Sequence, residues 1–246
     1  MTHTGTAPTK ASHAVLDSSS RESKARHMVE LVEGLAGPLA DKDVLDVGTG
    51  SGHIASYVAG RAGSLISVDV VDERIERDFA FRLVESEMLP FEAASFDVVI
   101  SNHAVEHVND QPAHLGEIRR VLRPGGICYL ATPNRWRLIE PHFRLPFLSW
   151  LPEPLRTPYV RLTGRGRRFD VLPLSYGSLR AITSGAGLDC TDLSLRMVAL
   201  SLGRPGQLPL KLLRAFWPAL RPLMPALVVA LRNGHALDSP RRRDEP

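Results

Sequence analysis

The sequence predicts an α/β fold in which helices cover both faces of a seven-stranded, mostly parallel sheet whose last strand is antiparallel. Short apolar runs alternate with segments of helical spacing, as expected for parallel strands that are buried on both faces. The first run leads into a loop with glycine at three alternate positions. Near the C-terminus, a hairpin-like pair of strands follows the strand–helix units. Together these observations favour this architecture.

The glycine loop follows the first predicted strand. Residues 44–47 are apolar except for Asp46, and Gly48, Gly50 and Gly52 come next. Glycine lets the backbone turn sharply, and it lets a ligand approach main-chain atoms that a Cβ would block. A strand, a glycine turn and a helix in this order are typical of a nucleotide-binding corner.

The spacing of the loop bears on the choice of ligand. A dinucleotide-binding fingerprint, Gly-x-Gly-x-x-Gly, requires glycine where this chain has His53. Asp69 ends the second predicted strand, 17 residues after Gly52, and both oxygens of a carboxylate can accept hydrogen bonds from ribose hydroxyls. The alternative for the glycine loop is a tight turn in another kind of α/β protein. The alternative for Asp69 is an aspartate that only ends a strand or caps a helix.

The other elements follow from apolar spacing and turn residues. Frequent prolines argue against a long regular helix in residues 134–173, and they are expected to break residues 208–224 into short turns. We expect helices over residues 21–36, 51–60, 72–78, 115–122 and 175–186, a turn at 123–126, and strands over 44–47, 65–69, 81–85, 95–101, 127–131, 187–195 and 226–232.

Length and composition favour one domain with embellishments. The 246 residues, 43% of them hydrophobic, can bury a sizeable core. The formal charge of +3 is small and the arginines are locally clustered, which argues against general nucleic-acid binding. Cys128 and Cys190 lie in apolar runs, so we expect buried, reduced thiols in a cytoplasmic protein.

The chain divides into three predicted segments. Residues 1–20 lack the apolar core of a signal peptide and are rich in Thr, Ser and Ala, which indicates a disordered leader. Residues 21–233 form the folded domain, with insertions at 134–173 and 202–224, and residues 234–246 form a disordered tail with basic and acidic residues. No run reaches the ~20 apolar residues of a transmembrane helix.

Four motifs resemble those of class I S-adenosylmethionine-dependent methyltransferases. They are Asp-x-Gly-x-Gly-x-Gly at 46–52, Phe-Asp-Val-Val-Ile-Ser-Asn at 96–102, Glu-His-Val at 106–108 and Arg-Val-Leu-Arg-Pro-Gly-Gly at 120–126. Their order and spacing over residues 43–135 are similar to those of the group that includes ubiquinone and menaquinone biosynthesis enzymes. The resemblance implies a Rossmann-like fold and S-adenosyl-L-methionine as the cofactor. Past strand five, the pattern gives way to the insertion.

The resemblance also implies which residues bind the cofactor. The glycine loop passes its amino-acid and ribose part, the Asp46 carboxylate helps to orient its ammonium group, and Asp69 accepts the ribose hydroxyls. Glu85, where most relatives carry Asp, faces the adenine amino group, and the Ser86 amide meets a ring nitrogen. The predicted set is Asp46, Gly48, Gly50, Gly52, Asp69, Glu85, Ser86 and Asn102, the last at the strand-four end that borders the crevice.

Three histidines are candidate catalytic bases. Methyl transfer from a sulfonium requires alignment and, for a hydroxyl acceptor, removal of a proton. His103 and His107 follow strand four, and His142 lies in the insertion. Histidine has a reference pKa near 6.5 and is a usable base at neutral pH. Packing or solvent-facing roles remain the alternatives for each of them. No metal site is expected, because cysteine pairs and clustered acids after strands four and five are absent.

The acceptor site is expected in the insertion at 134–173 and in the segment 208–224, which follow strands that border the crevice. Their aromatic residues suit a hydrophobic small molecule, such as a natural product, a glycoside or a lipid-like acceptor, although the same residues could instead pack the insertion onto the sheet. The apolar and basic segment 208–224 is also a candidate for peripheral membrane contact. The candidate lining residues are Trp136, Phe143, Phe147, Trp150, Phe216 and Trp217.

The predicted function is therefore that of an S-adenosylmethionine-dependent methyltransferase (EC 2.1.1.-) that methylates a hydroxyl group. Three alternatives stay open from the sequence. One is C- or N-methylation of a quinone-like or amine acceptor. A non-catalytic S-adenosylmethionine-binding protein would keep the glycine loop and lose the crevice bases. An NAD-dependent oxidoreductase would share the fold class but would require the missing third glycine.

Overall fold

The computed structural model describes residues 18–203 and 207–234, with side chains from residue 22 to 203 and from 213 onward. Within these ranges the strands of the main sheet are β1 (Asp43–Val47), β2 (Ser64–Asp69), β3 (Ala80–Leu83), β4 (Phe96–Asn102), β5 (Leu122–Pro133), β6 (Asp189–Asp192) and β7 (Ala226–Arg232). Their order is β3-β2-β1-β4-β5-β7-β6. β1 to β5 are parallel, and β7 is antiparallel to both β5 and β6, which confirms the predicted sheet.

Helices cover both faces of the sheet, as predicted. They are α1 (Ser18–Ala36), α2 (His53–Ala59), α3 (Gln111–Val121), α4 (Glu153–Leu162), α5 (Tyr176–Gly185), α6 (Ser194–Ser201) and α7 (Gln207–Leu220). On one face, Leu115 of α3 joins a core with Val99 of β4. On the other, Val58 of α2 joins a core with Val98. Because successive strand residues point to opposite faces, one apolar run supplies both cores.

The carboxyl ends of the parallel strands form one edge, from which the predicted site segments leave. Val47, at the end of β1, pairs with Val68 of β2 and with Ser101 of β4. The glycine loop therefore leaves the sheet between the ends of β2 and β4. The insertion leaves the same edge after β5, where Ala131 pairs with Asn102. Such an edge is where open α/β sheets bind ligands.

The predicted helix over residues 72–78 is wrong, because this segment is irregular in the structure. Its backbone donors are used elsewhere. The N–H groups of Ile75 and Glu76 donate to the carbonyl of Ser51, at 2.9 and 3.2 Å. The segment thus folds over the glycine loop and cannot also satisfy a helical hydrogen-bond pattern.

Two helices contain interior prolines, and one of them, α7, shows that the predicted short turns are wrong. α4 spans ten residues of the insertion, and α7 spans fourteen residues in place of short turns. Pro154 lies in the first turn of α4, where a backbone N–H would have no helical partner in any case. Pro158 and Pro218 lie further along, so each removes one helical hydrogen bond without ending its helix.

Two strands, β6 and β5, differ most in length from the prediction. β6 ends at Asp192 because α6 begins directly after it, and the Asp192 carboxylate accepts a hydrogen bond from the Ser194 N–H at 2.9 Å. β5 includes the predicted turn at 123–126 as a bulge with Gly125 at a φ of +79°. The pairing shows the bulge, since Leu122 pairs with Phe96 whereas Ile127 pairs with Val98.

The ends of the chain lie mostly outside the described residues. α1 begins at Ser18, within the predicted leader 1–20, and of the predicted tail 234–246 only Gly234 is described. The predicted disorder of both segments stays a prediction. Among the helices that the structure describes, none is long and apolar enough to cross a membrane.

Candidate active site

The glycine loop joins β1 to α2 through three left-handed backbone positions. φ is +81° at Gly48, +52° at Gly50 and +82° at Gly52, a region that other residues adopt only at a cost. A Cβ at Gly48 would lie 2.6 Å from the Cβ of Ala104, whereas a Cβ at Gly50 would meet nothing within 4 Å. Gly48 is therefore required for packing, and Gly50 faces open space beside the backbone.

Asp46 is almost fully buried beneath this loop. Its Oδ2 accepts hydrogen bonds from the hydroxyl groups of Thr49 and Ser67. Burial raises the pKa of Asp46 to about 6, although both hydrogen bonds act to lower it. In the structure this carboxyl group holds the loop against β2. Its predicted contact with a cofactor ammonium group stays a prediction.

Asp69 ends β2 and binds the same loop. Its Oδ2 accepts a hydrogen bond from the Gly50 N–H at 2.9 Å, and its Oδ1 accepts one from the Val70 N–H at 2.7 Å. Each carboxylate oxygen can accept a second hydrogen bond. Asp69 is thus fixed beside the open face of Gly50 and can still bind a pair of hydroxyl groups.

Glu85 and Ser86 lie on the exposed loop that follows β3. The far end of this loop is bound to α3, because the Arg120 guanidinium donates to the carbonyls of Leu89 and Phe91 at 2.9 and 2.7 Å. The loop therefore has a fixed anchor next to the predicted adenine-binding positions.

The turn after β4 brings the predicted bases to the glycine loop. Asn102 is the last residue of β4, and His103 follows with a φ of +59°, which is uncommon for a residue with a side chain. Ala104 then lies against Gly48. The predicted cofactor loop and the histidine-bearing turn are therefore in direct contact.

Glu106 is fully buried in this turn and was not among the predicted site residues. Its Oε1 lies 3.2 Å from Nδ1 of His103, and its Oε2 accepts a hydrogen bond from Oγ1 of Thr132 at 3.0 Å. Burial alone would raise the pKa of Glu106, but the hydrogen bond and charge of His103, with the charge of His107, lower it. Glu106 is therefore a carboxylate anchored between the turn and β5.

The insertion brings His142 to the same place. The rings of His107 and His142 are 5.0 Å apart, edge to face. Nδ1 of His142 lies 2.6 Å from Oε1 of the buried Glu140, whose Oε2 accepts a hydrogen bond from the Phe143 N–H at 2.7 Å. Glu140 therefore fixes the orientation of the His142 ring and leaves Nε2 to face another group.

The two facing histidines have opposite pKa shifts. Burial alone would lower the pKa of His142, but the hydrogen bond and charge of Glu140 raise it above its usual value. Partial burial of its ring lowers the pKa of His107, which still reaches solvent; repulsion from His142 adds to this effect, while the Glu106 charge opposes it. His142 is therefore the stronger base of the pair.

The insertion is a compact unit that is bound to the β4 turn. It has a small core of its own, which includes Leu148, Val160 and Phe169. At its end, the Leu172 N–H donates to the carbonyl of Glu106 at 2.8 Å. This bond explains how a distant segment of sequence keeps His142 beside the turn.

The candidate aromatic residues of the acceptor site form two groups. The Phe143 ring packs against Phe169 at 5.6 Å, and the buried Trp217 donates to the Asp192 carboxylate at 3.0 Å. For these two, packing is the observed role. The other four are 39 to 62% exposed: Trp136, Phe147, Trp150 and Phe216.

Three exposed aromatic side chains form a stack on the insertion. The Trp150 ring lies edge to face with Trp136 and with Phe147, at centroid distances of 5.8 and 5.2 Å. Its Nε1 donates to the carbonyl of Arg137 at 3.1 Å, so the polar end of the ring is satisfied and its apolar faces remain on the surface. The stack is an apolar surface that an acceptor can contact without repacking of the core.

Two cavities lie apart from these residues. One, of about 330 Å³, is within the insertion beside Arg156 and Arg168. The other, of about 610 Å³, lies between α1 and α2. Its lining includes Arg26 of α1, Tyr57 of α2 and Arg61, which follows α2. Neither cavity includes a predicted cofactor-binding or catalytic residue.

Comparisons with known proteins bear on the cofactor half of the site. A family model described as a methyltransferase domain matches residues 45–130, which contain the glycine loop, Asp69 and the β4 turn. A probable S-adenosylmethionine-dependent methyltransferase from Mycolicibacterium smegmatis is 37% identical over 117 residues, which cover 45% of each chain. This chain carries a class I S-adenosylmethionine-dependent methyltransferase domain.

A second curated relative and one solved structure also resemble this chain. A ubiquinone biosynthesis O-methyltransferase from Parvibaculum lavamentivorans is 30% identical over 108 residues, 40% of this chain and 43% of that protein. The chain thus matches less than half the length of these curated relatives. An S-adenosylmethionine-dependent methyltransferase from Mesorhizobium loti covers 82% of this chain and 96% of its own, with a TM-score of 0.57 at 14% identity, and shares the fold.

S-adenosyl-L-methionine is the methyl donor of this class, and the methyltransferase domain has a surface that fits it. The backbone at Gly50 is open where a side chain would fill the space, and Asp69 lies beside it with two carboxylate oxygens. The contacts of the glycine loop, Asp69 and, at the end of β4, Asn102 with the cofactor stay a prediction.

Sequence reasoning missed the two glutamates that anchor the histidines. Glu106 directly precedes His107, and Glu140 lies two residues before His142. These short spacings were the available signals. They do not show that both acids are buried, which depends on how the insertion folds against β5.

Proposed function

We propose that the protein methylates a hydroxyl group of a hydrophobic small molecule and that His142 takes up the acceptor's proton. The observation that carries this proposal is the contact between the glycine loop and the histidine-bearing turn, where Ala104 lies against Gly48. When bound, S-adenosylmethionine supplies an electrophilic methyl group on a sulfonium. The chain's own residues must then align the acceptor and receive its proton.

The contacts of His142 suit a proton acceptor. Glu140 holds Nδ1 at 2.6 Å, so the lone pair of Nε2 points away from it. The Glu140 charge also stabilises the imidazolium that forms when the proton arrives. His107 is the second candidate, and His103, which is bonded to Glu106, is the third.

The acceptor class follows from the surface of the insertion. The exposed stack of Trp136, Phe147 and Trp150 favours an apolar molecule such as a natural product, a glycoside or a lipid-like compound. The name of the ubiquinone biosynthesis O-methyltransferase among the relatives supports a hydroxyl acceptor.

Cys128 and Cys190 are unpaired, which supports the expected cytoplasmic location.

The test is transfer of label from methyl-labelled cofactor to fractions of a cell extract, followed by mass spectrometry of the product. We expect the label on an oxygen. Label on carbon or nitrogen would support a quinone-like or amine acceptor instead. Label on no fraction, with normal binding of S-adenosylhomocysteine, would support a non-catalytic binding protein.

His142→Ala tests the role of the base once an acceptor is known. Turnover should fall by about 10²- to 10⁴-fold, the usual scale for removal of a general base. Calorimetric affinity for S-adenosylhomocysteine should not change. His27→Ala, on α1, is the matched control and should turn over normally. Normal turnover of His142→Ala would move the role to His107, and normal turnover of both variants would mean catalysis by alignment alone.

A further inference from the structure

The histidine cluster contains more ligand-type atoms than proton transfer requires. Glu106, His107 and His142 each offer one such atom, and these atoms all lie within 4.8 Å of one another. We propose that these three residues form a binding site for a divalent transition-metal ion such as Zn²⁺. Two histidines and one carboxylate are a ligand set that proteins use for zinc and for ferrous iron. The inference concerns the site of the proposed function and adds a means of regulating it.

Two of the three ligand side chains are held in place by other residues. A metal-binding histidine commonly donates its other ring N–H to a carboxylate, which orients the ring and makes its metal-facing nitrogen more basic. Glu140 provides this contact to His142 at 2.6 Å. Glu106 is itself anchored by Thr132 and His103. Two of the three ligands are therefore already oriented by the fold, and binding requires only that the three ligand atoms, now within 4.8 Å of one another, move closer together.

The charges around the cluster favour a cation. Glu106 and Glu140 are at most 2% exposed, so both carboxylates act in a medium that screens them weakly. Asp170 is close enough to act electrostatically on both His107 and His142. His107 is exposed, which gives an ion a route from solvent and leaves room for water as a further ligand.

No metal site is expected from the sequence, and the proposed ligand set departs from that expectation. His103 and His107 have the His-x-x-x-His spacing of ligands on one helix face. Here His107 is the last residue of a short 3-10 turn, Val105–His107, whereas His103 lies before that turn and binds Glu106 instead. The second histidine comes from the insertion, 35 residues after His107. Only the folded chain brings this set together.

A bound metal and the use of His142 as a base exclude each other, because Nε2 has a single lone pair. We therefore expect Zn²⁺ to inhibit turnover and a chelator to restore it. If Zn²⁺ instead stimulates turnover, the metal site stands and the role of His142 as the base is refuted. The two proposals can thus fail separately.

The site is tested by metal titration of chelator-treated, full-length protein, which requires no acceptor. Co²⁺ should give the visible absorption of a four- or five-coordinate ion and should be displaced by Zn²⁺. His142→Ala and His107→Ala should each weaken Zn²⁺ binding by more than about 100-fold, and Glu140→Gln, which removes only the supporting carboxylate, by about 10- to 100-fold.

His27→Ala is the control for metal that binds to histidines elsewhere in the chain, and it should leave the cluster's affinity unchanged. Thermal melts verify that each variant is folded, and His107→Ala, at an exposed position, serves if His142→Ala does not fold. Absence of the Co²⁺ absorption, or an affinity that is the same in wild type and in the folded cluster variants, would overturn the proposal.

Discussion

Replacement of Gly50 by alanine should weaken cofactor binding much more than it weakens the fold. The new Cβ meets nothing within 4 Å, so the variant has no steric clash within the protein. The φ of +52° costs an L residue about 1 to 2 kcal/mol. For a domain of this size, that is a fall in Tm of roughly 2 to 8 °C. The Cβ also enters the space beside the backbone that the cofactor would occupy.

We expect calorimetric affinity for S-adenosylhomocysteine to fall at least tenfold in Gly50→Ala, or by about 1.4 kcal/mol. Gly37→Ala is the matched control, because Gly37 has a φ of +80° with nothing within 4 Å and lies just after α1. It should lose similar stability and keep its affinity. In Gly48→Ala the new Cβ would also lie 2.6 Å from the Cβ of Ala104. This overpacking should lower the free energy of unfolding by about 1 to 3 kcal/mol beyond the backbone strain. If Gly50→Ala binds as tightly as Gly37→Ala, the cofactor does not lie against Gly50.

Two further predictions concern the cofactor acid and acid stability. Asp69→Ala should weaken S-adenosylhomocysteine binding by roughly 1 to 3 kcal/mol, because a charged hydrogen-bonding partner is lost. Unchanged calorimetric affinity would show that Asp69 is not the acid that binds the cofactor. Burial lowers the pKa of His114 to about 4, so the unfolded state binds a proton first as the pH falls below the usual histidine value. Between pH 7 and pH 5, the free energy of unfolding of the wild type should therefore fall by about 2 kcal/mol more than that of His114→Gln, as measured by urea melts at each pH. If the free energies of both proteins change in parallel with pH, His114 is not a buried, neutral histidine.

The sheet was predictable because its signals are local. The apolar run of β4 and the alternate glycines after β1 each specify an element within a few residues. The errors lie where distant contacts decide. Residues 72–78 look helical in isolation, but their backbone binds Ser51 of the glycine loop. Prolines predicted short turns in place of α7, yet this helix tolerates the hydrogen bond that is lost at its interior Pro218.

The site was predictable to a smaller extent. His103 and His107 follow directly from their position at the end of β4, since the carboxyl ends of strands border the crevice. Nothing in the sequence shows that His142 reaches the same point or that Glu140 holds it. That arrangement depends on the small core of the insertion and on the hydrogen bond from Leu172 to Glu106.

The two ends of the insertion meet at its base. Asn134 forms a bridge with Leu174, and the Arg135 N–H donates to the Leu174 carbonyl at 2.9 Å. A segment closed in this way can be exchanged between related proteins as a cassette, with the strands on either side unchanged. Such an exchange would carry Glu140 and His142 together with the aromatic stack. Under the proposed function, acceptor preference and the means of deprotonation would therefore be inherited as one unit, separately from the glycine loop.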